Sequence, residues 1–247
     1  MFNFGLDRKT VYIILAVLIG LTVLSYAGNP EKLLGLVLTL PGVIIAITFH
    51  EYAHALAADK LGDDTARMQG RLNLNPTSHL DPIGFVLLLF AGFGWGKPVE
   101  INPRNFNRKF SMDAGEAIVS VAGPVMNIIL AFVFAILQFV LLKFAPAFLI
   151  TEAGNIVLAI VQTTIIVNIG LGVFNLIPLP PLDGSKILKN FLPYNARNWF
   201  LNHAQIFYFI FIGIWITGLA GVIITPITSA IYTGIIHLVG TLFGIGF

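Results

Sequence analysis

Six apolar runs, each long enough to cross about 30 Å of hydrocarbon, govern what this chain can fold into. They cover approximately residues 11–27, 36–58, 114–143, 154–177, 205–224 and 226–245. In lipid every backbone N–H and C=O needs an internal partner, so runs of this length are expected as helices. Composition agrees: 57% of the residues are hydrophobic and only 11% are charged, against roughly 25% charged in an ordinary soluble domain. Most of the surface must face something other than water. The sequence therefore predicts an all-α membrane protein with about six transmembrane helices, folded as a single domain over 1–247.

A seventh apolar run, 83–95 (IGFVLLLFAGFGW), is too short for a comfortable span and is expected as a re-entrant or interfacial segment between the second and third spans. The first run follows Arg8 and Lys9 and superficially resembles a signal peptide, but further spans follow it, and it is read as the first transmembrane helix. Charge then orients the chain. If 83–95 does not cross, Lys and Arg at 8, 9, 60, 67, 71, 97, 104, 108, 109, 186, 189 and 197 share one side, leaving only Lys32 and Lys143 on the other. Basic loops stay cytoplasmic, so both termini and the 59–113 loop of a multi-pass cell-membrane protein are expected there. A net charge of +2 with no basic helix argues against nucleic-acid binding. The absence of cysteine excludes disulfides, a thiol nucleophile and cysteine-rich metal sites.

The second run ends in His50-Glu51-Tyr52-Ala53-His54. Positions i and i+4 share one helix face, so two imidazoles can converge on one ion, while Glu51 is placed to take a proton from a water there. This is the arrangement of zinc proteases. A pair of core histidines beside a surface glutamate is the plainer alternative. It is weak here, because ionisable groups after so apolar a run are costly unless they pair or bind something.

A catalytic zinc site needs a third protein ligand and one open position. The candidate is Asp183 in Asn175-Leu-Ile-Pro-Leu-Pro-Pro-Leu-Asp183-Gly184, where three prolines prevent regular helix. Spans two and four run the same way, so both motifs arrive at a similar depth. The alternative for Asp183 is a turn or cap, since Asp-Gly is a common turn pair. Asn175 and Asn127 (in Gly123-Pro124-Val125-Met126-Asn127) are candidate donors to a transition-state oxygen. For Asn127 a helix-packing amide is an equal alternative.

Together, HEYAH and NLIPLPPLDG resemble the site-2 protease family of intramembrane metalloproteases. The 70–76 (GRLNLNP), 79–82 (HLDP) and 97–106 segments resemble a compact subgroup lacking PDZ and CBS domains. The resemblance covers most of the chain. It implies zinc held by His50, His54 and Asp183, catalysis by Glu51 with help from Asn175, and hydrolysis of peptide bonds in transmembrane protein substrates within the lipid bilayer. One departure is Ser185, where many members carry a second glycine after Asp-Gly.

Other features carry less. His79 is expected to cap or bridge its loop, His203 to sit at an interface, and His237 lacks a ligand-type neighbour four residues away. Gly92-Phe93-Gly94-Trp95-Gly96 could hold an unwound substrate by strand addition or form a turn anchored by aromatics. Rival readings are a metal or proton transporter and an inactive relative that binds membrane helices. A transporter needs polar groups along a path to both faces, whereas the ionisable groups here cluster on one half, with no internal repeat.

Overall fold

Asn29 opens the first long helix. Its side chain accepts the Lys32 N–H at 3.2 Å, and Pro30 in the first turn lacks only an N–H that would have no helical partner. Helix α1 (Pro30–Lys60) then runs for 31 residues through an internal Pro41. The computed structural model describes residues 28–91 and 94–245, together with Gly20 and Leu24. After α1 come α2 (Pro82–Ala91), α3 (Met112–Phe144), α4 (Glu152–Asn175), α5 (Asp183–Phe191), α6 (Tyr194–Asn202), α7 (Ala204–Ile216) and α8 (Leu219–Leu242). Single helical turns lie at Thr65–Met68, Pro76–His79 and Pro146–Leu149. Ser111 and Thr151 cap α3 and α4 by accepting the N–H groups of Ala114 and Gly154. Among the described residues β structure is confined to one isolated antiparallel bridge, Leu80 with Gly96.

Among the described residues four helices, α1, α3, α4 and α8, are long and apolar enough to cross a membrane. An apolar core joins three of them: Ala131, Ala135 and Phe139 of α3, Val161, Ile165 and Ile169 of α4, and Ile235, Ile236 and Val239 of α8. The opposite faces are just as apolar, with Ile129, Val133 and Ile136 of α3 and Val222, Ile223 and Ile227 of α8 exposed. Soluble monomers rarely expose contiguous apolar surface on this scale. Lipid is the solvent that suits it, and the chain is a multi-pass membrane protein.

Three of the expected spans coincide with helices: 36–58 with α1, 114–143 with α3 and 154–177 with α4. The expected first span, 11–27, lies outside the described residues apart from Gly20 and Leu24. The expected pair 205–224 and 226–245 is divided differently. Helix α7 stops after 13 residues, because Gly218 takes a left-handed φ of 74° and Thr217 turns its hydroxyl back to the Gly213 carbonyl. At 1.5 Å per residue α7 rises about 20 Å, short of the hydrocarbon thickness, and residues 219–224 belong to α8. Helix α2, which overlaps the 83–95 run and begins one residue before it, has 10 residues and rises only about 15 Å.

Two devices fix the parts that surround the site. In the 62–111 connection, Asp63 is fully buried and accepts the Asn102 N–H at 2.6 Å and the Asn105 amide at 3.0 Å, besides the Thr65 N–H and hydroxyl. Burial pushes this carboxyl up, but those hydrogen bonds outweigh it and hold the group below its usual value. At the other end, Lys189 of α5 pairs with Glu116 and, at 3.7 Å, with Asp113 of α3. Arg197 of α6 reaches the same Asp113 at 2.7 Å. These pairs hold α5, whose first residue is Asp183, against the start of α3.

Candidate metal centre

Helical spacing puts His50 and His54 on one face of α1, with ring centroids 4.6 Å apart and planes at 88°. The proline-rich segment after α4 returns the chain to this face. It begins at Asn175, passes a cis Pro180–Pro181 peptide and delivers Asp183 as the first residue of α5. Ser185 closes this turn by donating its hydroxyl to the Leu182 carbonyl at 2.7 Å. Asp183 Oδ2 then lies 3.2 Å from His50 Nε2 and 3.1 Å from His54 Nε2, while Oδ1 faces Lys186 Nζ at 3.6 Å. All three residues are buried. Among the described residues they form the one group of His, Asp and Glu side chains that could hold a metal ion, with ligand atoms within 4.8 Å of one another.

Hydrogen bonds on the far side of each ring decide which nitrogen is free. His54 Nδ1 lies 2.7 Å from the Val119 carbonyl, which can only accept, so Nδ1 carries the proton and Nε2 presents its lone pair inward. His50 is set by a longer relay. The Thr164 carbonyl accepts the Asn168 amide at 2.9 Å, which turns Asn168 Oδ1 towards Asn127. Asn127 gives its amide protons to Asn168 Oδ1 and to the Ala46 carbonyl, both at 3.0 Å. Its Oδ1 is left to accept His50 Nδ1–H at 2.6 Å, and His50 Nε2 also points inward. The set fits zinc. Bonds of about 2.0–2.1 Å at a tetrahedral angle separate neighbouring ligand atoms by about 3.3 Å, close to the spacings between Asp183 and each histidine.

The floor of the site is Gly123 of α3. A Cβ there would lie 2.5 Å from His54 Nε2 and 2.6 Å from His50 Cε1, so α3 can approach the two rings only without a side chain. On the other flank, Glu51 is half-buried and its Oε2 accepts the Val99 N–H at 3.1 Å. The segment around residues 96–99 lies against α1 here. A Cβ at Gly96 would come within 2.8 Å of Ile47 Cγ2 and 3.0 Å of Glu51 Oε1.

The structure thus gathers His50, His54 and Asp183, places Glu51 beside them and puts Asn127 behind His50. Both amide protons of Asn127 are committed here, to the Ala46 carbonyl and to Asn168 Oδ1, so that it bridges α1, α3 and α4. Asn175, the last residue of α4, donates to the Leu171 carbonyl of its own helix at 3.0 Å and makes no hydrogen bond to the cluster. His79 is fully buried with Nε2 on the Asn73 carbonyl at 2.7 Å; burial holds its imidazole below the usual value, and it stands apart from the metal-type group. Asn168, Val119, Gly123 and Val99 were not singled out as partners from sequence. Only Asn168 left a signal, as an amide inside an apolar span.

Comparison with known proteins agrees with this geometry. The model of peptidase family M50 matches residues 148–219, which include the whole proline-rich segment and Asp183. YwhC of Bacillus subtilis, named as a zinc metalloprotease, is 39% identical over 216 residues, covering 84% of this chain and 92% of that protein. Rip2 of Mycobacterium tuberculosis, similarly named, is 33% identical over 181 residues, covering 71% of this chain and 63% of Rip2. MJ0611 of Methanocaldococcus jannaschii is 27% identical over 192 residues, covering 76% of this chain and 87% of that protein. No solved structure gives a significant match. With a His-His-Asp cluster of zinc spacing and a relative so similar along nearly its whole length, the chain belongs to peptidase family M50, the site-2 proteases, and is a zinc metalloendopeptidase.

Proposed function

We propose that this protease hydrolyses peptide bonds in or near transmembrane segments of other membrane proteins, at bilayer depth, as a step of regulated intramembrane proteolysis. The observation that carries the reading is the position of the cluster: two imidazoles and a carboxylate converge inside a bundle of membrane-length helices rather than in a loop domain outside it. A site so placed reaches bonds that a soluble protease does not.

In this reading His50, His54 and Asp183 hold zinc, which when bound lowers the pKa of a water to near 7 and polarises the scissile carbonyl. Glu51 takes a proton from the attacking water as its oxygen bonds to the carbonyl carbon. It then passes that proton to the amine nitrogen as the C–N bond breaks. Asn127 positions His50 and keeps it in the metal-binding tautomer. Asn175, in the last turn before the proline-rich segment, is the amide available to the carbonyl oxygen once it leaves Leu171. Twelve of fourteen basic residues on one side support a cytoplasmic placement of both termini and of the site, with about six spans, the short α7 counted among them, and 83–95 re-entrant.

The test uses the full chain in lipid nanodiscs with a transmembrane-peptide library. The expected result is cleavage within the cytoplasmic half of a span, mapped by mass spectrometry of the new termini, and its loss in Glu51→Gln while zinc is retained. Cleavage confined to water-exposed loops would overturn the reading.

A further inference from the structure

Arg71 is a loop residue with only 7% of its surface exposed. Burying a guanidinium is costly unless its donors find acceptors. Two of them do: Nη2 donates to the Lys97 carbonyl at 2.6 Å and Nη1 to the Pro98 carbonyl. These are consecutive carbonyls, and only the planar fork of arginine can hold both at once. Of the five N–H donors of the guanidinium, Nε–H is buried and makes no hydrogen bond to another protein group. The side chain is therefore placed by its two carbonyls and not by a general saturation of its donors.

What those carbonyls belong to gives the contact its meaning. Lys97 donates its N–H to the His79 carbonyl at 2.7 Å, Pro98 has no N–H, and Val99 donates its N–H to Glu51 Oε2 at 3.1 Å. Between residues 97 and 99, the N–H groups and the first two carbonyls are all committed: the carbonyls to Arg71, one N–H to the loop, the other to Glu51. Gly96 lets the same segment lie flat on α1, with its α-carbon side facing Ile47 and Glu51.

We propose that Arg71 is a positioning residue for Glu51: by gripping the Lys97 and Pro98 carbonyls it fixes the Val99 N–H, which in turn fixes the carboxylate beside the metal ligands. The inference rests on the reading of Glu51 as the general base. Arg71 makes no hydrogen bond to a metal ligand, and its effect passes through the backbone of 97–99. A base held loosely still meets the attacking water, but less often in the reactive arrangement.

The test is a steady-state comparison of Arg71→Gln, Arg71→Lys, Val99→Pro and Arg71→Gln/Val99→Pro in nanodiscs, each checked for one zinc per chain and for its thermal unfolding temperature. Val99→Pro removes the N–H that Glu51 accepts while leaving Arg71 in place. The expected result for Arg71→Gln and for Val99→Pro is kcat lowered by about 10- to 100-fold, with KM and zinc content within about twofold of wild type. Arg71→Lys, which restores charge but not the fork, should fail to rescue kcat. The double variant should be no slower than the slower single variant, because both act at one link. Multiplied losses in the double variant would overturn the proposal, as would wild-type kcat in Arg71→Gln alongside an inactive Glu51→Gln. If instead Glu51→Gln keeps its activity, the reading of Glu51 falls and this proposal with it.

Discussion

Replacing Gly123 by alanine should separate zinc binding from folding. The added Cβ would lie 2.5 Å from His54 Nε2 and 2.6 Å from His50 Cε1, whereas carbon in van der Waals contact stays about 3.5 Å away. About 1 Å must be found. Helix α3 cannot retreat easily, since it packs on α1 and α4 along most of its length and its start is held by Lys189 and Arg197. The rings can move, but a swing of His54 breaks its bond to the Val119 carbonyl, at a cost of about 1 kcal/mol. Zinc sites accept ligand displacements of only about 0.2 Å. The cheap relief for the fold is therefore a large error for the metal. We expect Gly123→Ala to lose about 1–3 kcal/mol of stability, the range for an overpacked site. Its zinc affinity should fall by at least 100-fold, which is about 2.7 kcal/mol. The assay is competition against a chelator of known affinity, with zinc counted by mass spectrometry and unfolding followed on the same preparation. Gly170→Ala is the control, because a Cβ at Gly170 meets nothing within 4 Å. Wild-type zinc affinity in folded Gly123→Ala would refute the close-approach argument.

Other expectations follow from the same contacts. Asn127→Ala removes the acceptor for His50 Nδ1–H, so zinc affinity should drop by about 10–100-fold in a chelator titration; a change below twofold would mean that His50 needs no orienting partner. Asp183→Ala should purify with little zinc, and full occupancy would remove Asp183 from the ligand set. The Asp63 carboxyl has a lowered pKa in the folded protein, so its contribution is complete above the unfolded value near 3.8 and is lost as pH falls below that towards the folded value. Acid unfolding of Asp63→Asn should accordingly show a shallower loss of stability below pH 4 than wild type; equal slopes would assign the acid sensitivity to other groups. Gly or Pro placed near the scissile bond of a transmembrane substrate should speed cleavage and a poly-Leu replacement should slow it, because extended backbone is needed at the metal; indifference to both would contradict the need for unwinding.

Much of this protein was legible in one dimension, and the reason is that helical information is local. Runs of apolar residues set α3 and α4 to within two positions and located most of α1, and the i, i+4 pair His50 and His54 needs only one helix to become a two-ligand face. The boundary between α7 and α8 was misplaced, since hydropathy does not register a break made by one left-handed glycine at 218 within a continuous apolar run. Asp183 could be named because prolines and a carboxylate at an apolar span's end are conspicuous. That its oxygen lies 3.2 Å from His50, 133 residues away, was decided by how α5 packs on α3. The second layer is wholly tertiary. Asn127 meets His50 across 77 residues, Val119 meets His54 across 65, and Val99 meets Glu51 across 48. A hydrogen bond of under about 3.2 Å depends on helix rotation and crossing at the ångström level. Periodicity in the sequence gives the face of each helix, and only the packed bundle supplies the register between faces.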